Sequence, residues 1–307
     1  MKLHHFDSFD EFESAVVDVD LKVRLLGPHD GKWQIGHVDI DGITIQQGVE
    51  AVPNLCEASG WPTHLMLLIS EGHPSPTWLN GVPFARDTLG ILAPRQGFVF
   101  RAAGPNSWVT IALPLSLPLF QADNEVGDVL RHWCQSTRTV VCAPGAIESL
   151  RCAALAAADA STSRASGRAL IEAAVIDLIV SRRQKTKAMG RPGVSPHGLC
   201  DATLDLFRSV DDRFVRGVDQ LDSLPVGARS LNNFFHQCFG QSPKQYLQLR
   251  RLHAIHTVLK DLGNHAVSIT DIFEQQGYSY STYALARYRA VFGETPSNTR
   301  VRAFDVV

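Results

Sequence analysis

The sequence lacks the features of a secreted, disulfide-stabilised or membrane-spanning protein. Its six cysteines include no C-x-x-C pair, so neither a zinc site nor a disulfide framework is indicated, and we expect small buried thiols in a reducing compartment. The N-terminus has no apolar signal-peptide core, and the longest nearly uncharged run, 109–124, contains two prolines and is too short to cross a bilayer. We therefore expect a cytoplasmic protein without membrane contact.

Catalytic motifs are also missing. The sequence contains no P-loop, G-x-S-x-G, H-E-x-x-H or G-x-G-x-x-G motif. A metal site in a β-barrel would need His-x-His with a carboxylate and a further histidine, and the histidines at positions 29, 37, 64 and 73 do not have that spacing. We therefore expect no catalytic residue, no metal and no cofactor, and the chain is not expected to be an enzyme.

The charge is unevenly distributed. The whole chain of 307 residues has a formal net charge of −2, with 45% hydrophobic and 20% charged residues, which is ordinary for a soluble protein of two domains. Residues 229–302, however, hold nine Lys/Arg against four Asp/Glu. This basic stretch suits contact with phosphates, although a solvated charged surface would have the same composition.

Short apolar runs separated by Gly, Pro, Asn and Asp occupy residues 19–118 and predict β-strands. Regular spacing of seven or more short strands favours a barrel or a sandwich. Asn80-Gly81, between two apolar runs, predicts a tight hairpin. The predicted strands are 21–26, 33–40, 43–47, 64–69, 88–92, 98–101 and 108–113.

From residue 122 the apolar period becomes helical. Its strongest stripe lies within 170–179, and such a stripe is typical either of a core helix or of a dimer interface. The segment that follows is basic, contains Gly and Pro and has no period, so a linker is predicted there.

Two nearly identical segments lie close to the C-terminus. FGQSP at 239–243 returns as FGETP at 292–296, and each copy follows an amphipathic stretch with an aromatic residue in the same place, Phe235 and Tyr288. Because the preceding helix is repeated with the motif, one helical unit built twice is indicated.

A long helix is predicted between the two copies. Ser242 and Pro243 are typical of a helix start, and apolar residues then recur every 3.6 positions as far as Leu262. About 20 residues at 1.5 Å each give a rod of about 30 Å. This length is close to one turn of B-DNA, the spacing at which two recognition helices enter successive major grooves on one face.

These elements together resemble the DNA-binding domain of AraC/XylS-type transcriptional regulators. The resemblance rests on FGQSP-x-x-Y-L-x-x-x-R from 239, SITDI at 268–272 and the segment 277–297. The N-terminal strands are similar in layout to the cupin-like sensor domains of that family. The resemblance implies an α+β protein, with a cupin-like β-barrel and helices followed by an all-α domain of two helix-turn-helix units. The expected divisions are 1–121 for the sensor barrel, 122–184 for a helical dimerisation or packing segment, 185–198 for the linker and 199–307 for the DNA-binding domain.

The resemblance also implies which side chains meet DNA. In the first reading helix, 228–238, these are Arg229, Asn232, Asn233 and His236; arginine can bind guanine and asparagine adenine through two hydrogen bonds. In the second they are Ser281, Thr282 and Tyr283, with Arg287 and Arg289 nearer the phosphates.

Several residues depart from the family pattern. Pro225 stands where a glycine turn is usual, Phe273 replaces a small residue, Ala284 replaces an aromatic one and Ala286 a polar contact. We expect Tyr283 or Phe273 to fill the volume missing at Ala284. These departures support an alternative, a cupin-like small-molecule-binding protein whose C-terminal helices have lost DNA binding.

The implied partners are double-stranded promoter DNA and a small-molecule effector, with RNA polymerase and a second copy of the chain as further candidates. Aromatic residues on the inner face of a barrel can form the effector site. The candidate effector-binding residues are Trp61, His64, Trp78, Arg95, Phe98 and Trp108.

Overall fold

The computed structural model describes residues 1–28, 31–72, 74–143, 145–181, 196–209, 218–264 and 266–305. Most of the predicted linker, 185–195, lies outside the described residues. Within them the chain forms strands as far as Val141 and is helical after that. The strands are β1 (His4–Phe6), β2 (Val19–Leu25), β3 (Trp33–Ile40), β4 (Ile43–Glu50), β5 (Asn54–Gly60), β6 (His64–Ser70), β7 (Thr77–Leu79), β8 (Val82–Phe84), β9 (Thr88–Leu92), β10 (Gly97–Ala102), β11 (Asn106–Pro114) and β12 (Arg138–Val141).

The helices divide into an N-terminal and a C-terminal set. The first set is α1 (Phe9–Ala15), α2 (Pro118–Gln121), α3 (Glu125–Trp133), α4 (Ala146–Ala157) and α5 (Arg164–Ser181). The second is α6 (Pro196–Ser209), a 3₁₀ helix (Val218–Ser223), α7 (Ala228–Cys238), α8 (Pro243–Lys260), a short 3₁₀ turn (Leu262–Asn264), α9 (Ile269–Gln275), α10 (Thr282–Phe292) and α11 (Pro296–Asp305).

The strands form two antiparallel sheets. One has seven strands in the order β1-β3-β4-β11-β6-β9-β12, and the other has five in the order β2-β5-β10-β7-β8. The predicted hairpin is present, because Asn80 and Gly81 join β7 to β8 with φ values of 50° and 77°, the left-handed backbone that such a tight turn requires. The α+β prediction is confirmed: a two-sheet β-domain with helices is followed by an all-α domain.

Both sheets are covered on both faces. The seven-stranded sheet packs its outer residues, such as Ile45, Leu67 and Ile111, in one core with Leu130 of α3 and Ile171 of α5. The five-stranded sheet packs its outer face against the C-terminal helices, since α6 and α7 contact β10 and α8 contacts β2. The stripe of α5 therefore belongs largely to the core, although Leu170 and Val180 remain exposed. The layers run from helices through the two sheets to helices again.

Several details differ from the sequence-based expectation. Strands β1 and β5 had no predicted counterpart, and β12 pairs with β9 although its segment was expected to be helical. The expectation of buried cysteines is wrong for Cys152, which is exposed, and Cys134 is half-buried. Across the described parts of the chain, no helix combines the length and apolar character needed to span a membrane.

Candidate nucleic-acid interface

The second helix-turn-helix unit is built by α9 and α10. Each helix begins at a serine whose hydroxyl caps it: Ser268 accepts from the backbone N–H of Asp271 at 3.0 Å, and Ser281 accepts from that of Ala284 at 3.2 Å. Between them Gly277 has φ +66°, and its carbonyl accepts a 2.8 Å hydrogen bond from Arg251 of α8. Glycine adopts this left-handed turn without strain, so the turn is fixed both locally and by the spacer helix.

In the first unit the described support element is a 3₁₀ helix, Val218–Ser223, which precedes α7. Leu221 within it and Leu224 just after it are buried. Pro225 follows and is exposed, and α7 begins after Gly227 without a side-chain cap. The β-domain also supports α7, since this helix contacts β10 and a Cβ added at Gly81 would lie 3.0 Å from the sulfur of Cys238.

The repeated motifs have the same backbone role in both units. Gly240 and Gly293 each have φ +73°, and each follows the reading helix of its unit. Two residues after Gly240, Ser242 forms a full capping box with Gln245 at the start of α8. The repeat in the sequence is therefore a repeat in structure, a reading helix closed by a left-handed glycine and followed by a new helix.

Helix α8 is the predicted spacer. It has 18 residues, Pro243–Lys260, and so a length of about 27 Å at 1.5 Å per residue. Its end lies two residues before the predicted one, because Asp261 already has an extended backbone. One reading helix precedes it and the other follows it.

The predicted reading residues of α7 all face solvent. Arg229, Asn232, Asn233 and His236 are exposed, whereas Leu231, Phe234 and Phe235 on the other side of the helix are buried. The apolar side of α7 packs into the core of the protein, and its polar side can contact another molecule.

The second reading helix offers a smaller polar surface. Thr282, Tyr283 and Arg289 are exposed, and Tyr283 retains 62% of its accessible surface. Ser281 is exposed, but its hydroxyl already serves as the cap, and Arg287 is half-buried. Of the two residues expected to fill the space at Ala284, Phe273 is fully buried in the same core cluster as Ala284, whereas Tyr283 is exposed; Ala286 is exposed as well.

Helix α8 is fixed to the β-domain by a buried ionic cluster, which we define as Glu57, Arg24, Arg250 and Tyr246. The carboxylate of Glu57 on β5 accepts hydrogen bonds from Arg24 on β2 at 3.0 Å, and from Arg250 and Tyr246 on α8. The three charged side chains are at most 8% exposed, and Tyr246 is fully buried. Burial disfavours the charged form of Glu57, but the two guanidinium groups outweigh this and lower its pKa to about 2.

A second polar contact joins α8 to the second unit. The hydroxyl of Tyr288 on α10 lies 2.8 Å from Nδ1 of His256 and 2.8 Å from the hydroxyl of Thr299 on α11. Burial raises the pKa of Tyr288, so the hydroxyl keeps its proton and can donate. Each reading helix is therefore tied to α8 or the β-domain through a buried side chain.

A cavity of about 50 Å³ lies between the two sheets of the β-domain. Two of the predicted effector-binding residues, Phe98 and Trp108, line it. The other four are not among its lining residues: Trp61 and Arg95 are exposed, and His64 and Trp78 are half-buried.

Sequence reasoning missed the residues that join the domains and the polar residues of the cavity. Glu57 is a lone acid in the apolar run NLCEASG, a pattern that indicates a buried charge once the strand is known. Glu50 and Thr110 in the cavity wall stand on strands β4 and β11, whose order in the sheet the sequence did not provide.

Comparison with known protein sequences places the similarity in the C-terminal domain. A family of sequences described as "helix-turn-helix domain" matches residues 222–302. A XylDLEGF operon transcriptional activator of Pseudomonas putida is 38% identical over 74 residues, 24% of this chain and 23% of that protein. The XylDLEGF operon transcriptional activator 2 of this organism is 30% identical over 83 residues, 27% of this chain and 53% of its own length. The chain thus spans less than a quarter of the first relative's length.

Two solved structures resemble the whole chain at low identity. An AraC-like transcriptional activator, CuxR, has a TM-score of 0.43 at 10% identity and covers 90% of this chain and 100% of its own. ToxT from Vibrio cholerae has a TM-score of 0.30 at 12% identity, and the match covers 94% of this chain and 98% of ToxT. The sequence match over 222–302 and the two helix-turn-helix units found there agree, so the C-terminal region is a helix-turn-helix domain similar to that of the XylDLEGF operon transcriptional activators.

Proposed function

We propose that the protein is a sequence-specific, DNA-binding transcriptional regulator controlled by a small-molecule effector held in the β-domain. The observation that supports this most is the pair of helix-turn-helix units at the two ends of α8, each with exposed polar side chains on its reading helix. About 27 Å of helix between them suits two adjacent turns of the major groove.

The charges of the C-terminal domain support phosphate contact. Arg229, Lys244 and Arg289 are exposed, and among the described residues none of the three side chains forms an ion pair with a carboxylate. Cationic side chains of this kind release counterions from DNA on binding. The free thiols of all six cysteines suit a reducing, cytoplasmic setting.

The alternative, a small-molecule-binding protein whose helices no longer bind DNA, predicts a different response to salt. We expect binding to a duplex enriched by the protein from a random-sequence pool to weaken about a hundredfold between 50 and 200 mM salt, for roughly four phosphate contacts. Fluorescence anisotropy measures this. No enrichment of any duplex, or an affinity unaffected by salt, would favour the alternative.

A further inference from the structure

Arg101, on strand β10, carries a positive charge without a counter-ion. Its side chain is half-buried, and within the described residues it forms neither a hydrogen bond nor an ion pair. Of its three nitrogens only Nε is fully buried without a partner, so the two terminal nitrogens keep contact with solvent. Burial lowers the pKa of Arg101, because the guanidinium loses hydration and no carboxylate compensates for the loss.

The guanidinium lies between the β-domain and the C-terminal domain. Its Cζ is 3.6 Å from the centre of the Trp78 ring, and Trp78 on β7 is directly opposite Arg101 in the sheet. From the C-terminal domain Gly240 approaches it closely, since a Cβ added at this glycine would lie 3.0 Å from Nη1 of Arg101. A guanidinium stacked on a ring has its donors along its edge, where the ring does not cover them.

This position is outside the cavity between the sheets. Phe98 and Phe100 line the cavity, and alternate residues of a strand face opposite sides of its sheet. Arg101 therefore faces the other side, where α6 and α7 contact β10.

The segments that meet at Arg101 contain no acidic residue. They are 72–86, which includes β7, 88–122, which includes β10, and 223–260, which includes α7 and α8. Two carboxylates lie near the same face of the sheet, but both have partners. Glu57 belongs to the buried ionic cluster, and Asp201 of α6 accepts a hydrogen bond from the backbone N–H of Gly97.

An unpaired cation in such surroundings is unfavourable. A charged group that leaves water needs an opposite charge or hydrogen-bond acceptors to offset the lost hydration. Arg101 has neither within the described chain, and its terminal nitrogens can still be reached from solvent. An anion that comes from outside the chain would provide both.

We propose that Arg101 and Trp78 form a binding site for a small organic oxyanion, a carboxylate or a phosphate ester, between the β-domain and the first helix-turn-helix unit. The terminal N–H groups of Arg101 donate two parallel hydrogen bonds to two oxygens of the anion. Trp78 fixes the plane of the guanidinium, and the turn at Gly240 borders the site. The inference goes beyond the proposed function, because binding of the anion requires no DNA.

The position of the site favours a free small anion over the DNA backbone as the source of the oxygens. A recognition helix meets base edges mainly with its N-terminal residues. Arg101 lies beside Gly240, after the C-terminal end of α7, and the 11 residues of this helix are about 16 Å long. An anion held there contacts the β-domain and the turn that ends the first reading helix, so its binding is coupled to the position of α7.

The test is an NMR titration of the full chain with acetate, inorganic phosphate and, as a neutral match for acetate, acetamide. Sodium chloride keeps the ionic strength constant. The signals followed are the indole N–H of Trp78, assigned with W78F, and the Nε–H of Arg101, assigned with R101K. We expect saturable shifts of both signals with acetate or phosphate and none with acetamide.

Substitutions at position 101 separate the charge from the shape of the guanidinium. R101M should abolish the saturable shift of the Trp78 signal. R101K keeps the charge but loses the two-point contact, so it should weaken the anion by about tenfold. R164K makes the same change at an exposed arginine of α5 and should leave the affinity unchanged.

No saturable shift with either anion would overturn the proposal, as would equal binding by the natural chain and R101M. If R101M does not fold, R101K decides, and unchanged affinity in that variant would contradict the two-point contact. A shift of the Arg101 signal with duplex DNA but with neither small anion would assign the oxygens to the DNA backbone and reject the small ligand.

DNA affinity is measured separately, without acetate or phosphate. Salt-dependent DNA binding without any response to the anions rejects the anion site alone. Saturable binding of the anions without DNA binding rejects the regulator and leaves the anion site standing.

Discussion

Replacing Glu57 with alanine is expected to lower the free energy of unfolding by about 3–5 kcal/mol, the cost of removing the carboxylate that lies between two buried cations. Arg24 and Arg250 both donate to this carboxylate and are at most 8% exposed, so neither can turn towards solvent without unpacking the surface between β5 and α8. Tyr246 loses its hydrogen-bond acceptor in the same change. Chemical denaturation followed by circular dichroism measures the effect.

The contribution of Glu57 should also depend on pH. Its pKa is lowered from the ordinary value of 4.5 to about 2, so the folded state favours the charged carboxylate. A lowered pKa stabilises the fold fully above the unfolded value, and the contribution is lost as the pH falls towards the folded value. The difference in stability between the natural chain and the alanine variant should therefore shrink between about pH 4.5 and pH 2.

Glu148 provides a matched control. Its hydrogen bond with Arg151 also lowers its pKa to about 2, but its side chain is 61% exposed. Solvent screening reduces such a pair to about 1 kcal/mol or less. If E57A lowered the free energy of unfolding no more than E148A does, the buried ionic cluster would not be what fixes the C-terminal helices to the β-domain.

Changing Arg229 and Asn233 to alanine is expected to weaken DNA binding by about 1–3 kcal/mol for each side chain that binds a base, which is roughly fivefold to 150-fold apiece. Both side chains are exposed on α7, so their removal should leave the unfolding free energy nearly unchanged. The preference for the selected duplex over random DNA should fall. The dependence on salt should change by no more than one phosphate contact, because asparagine carries no charge.

Arg164 is the control for this pair, since it is exposed at the start of α5, in the N-terminal set of helices. Its replacement by alanine should leave the affinity unchanged. Equal losses of affinity at 164 and 229 would indicate a general effect of charge, and no loss at 229 and 233 would remove the first reading helix from the interface.

The C-terminal domain was largely predictable because its determinants are local. Ser242 and Pro243 mark the start of α8, and the repeated glycines at 240 and 293 mark the ends of the two reading helices. Caps, left-handed glycines and the 3.6-residue period act within a few residues, so a sequence displays them directly. The hairpin at Asn80-Gly81 was predictable for the same reason.

The contacts between distant parts of the chain were not predictable in this way. Glu57 meets Arg250, 193 positions away, and nothing in either local pattern indicates the other. Strand β5 was missed because it is buried on both faces and contains neither alternation nor a strong β-branched run. Trp61 and Trp108 are equally aromatic in the sequence, yet one is 42% exposed and the other lines the cavity, since the pairing of the strands decides which way each faces.

The most direct measurement of how the two units act together is hydroxyl-radical footprinting of the full chain on its selected duplex. Two reading helices at the ends of α8 should protect two tracts about one helical turn apart, centred about 10 base pairs from each other on the same face of the DNA. A single protected tract, or two tracts offset by half a turn, would contradict a rigid spacer that carries two reading units.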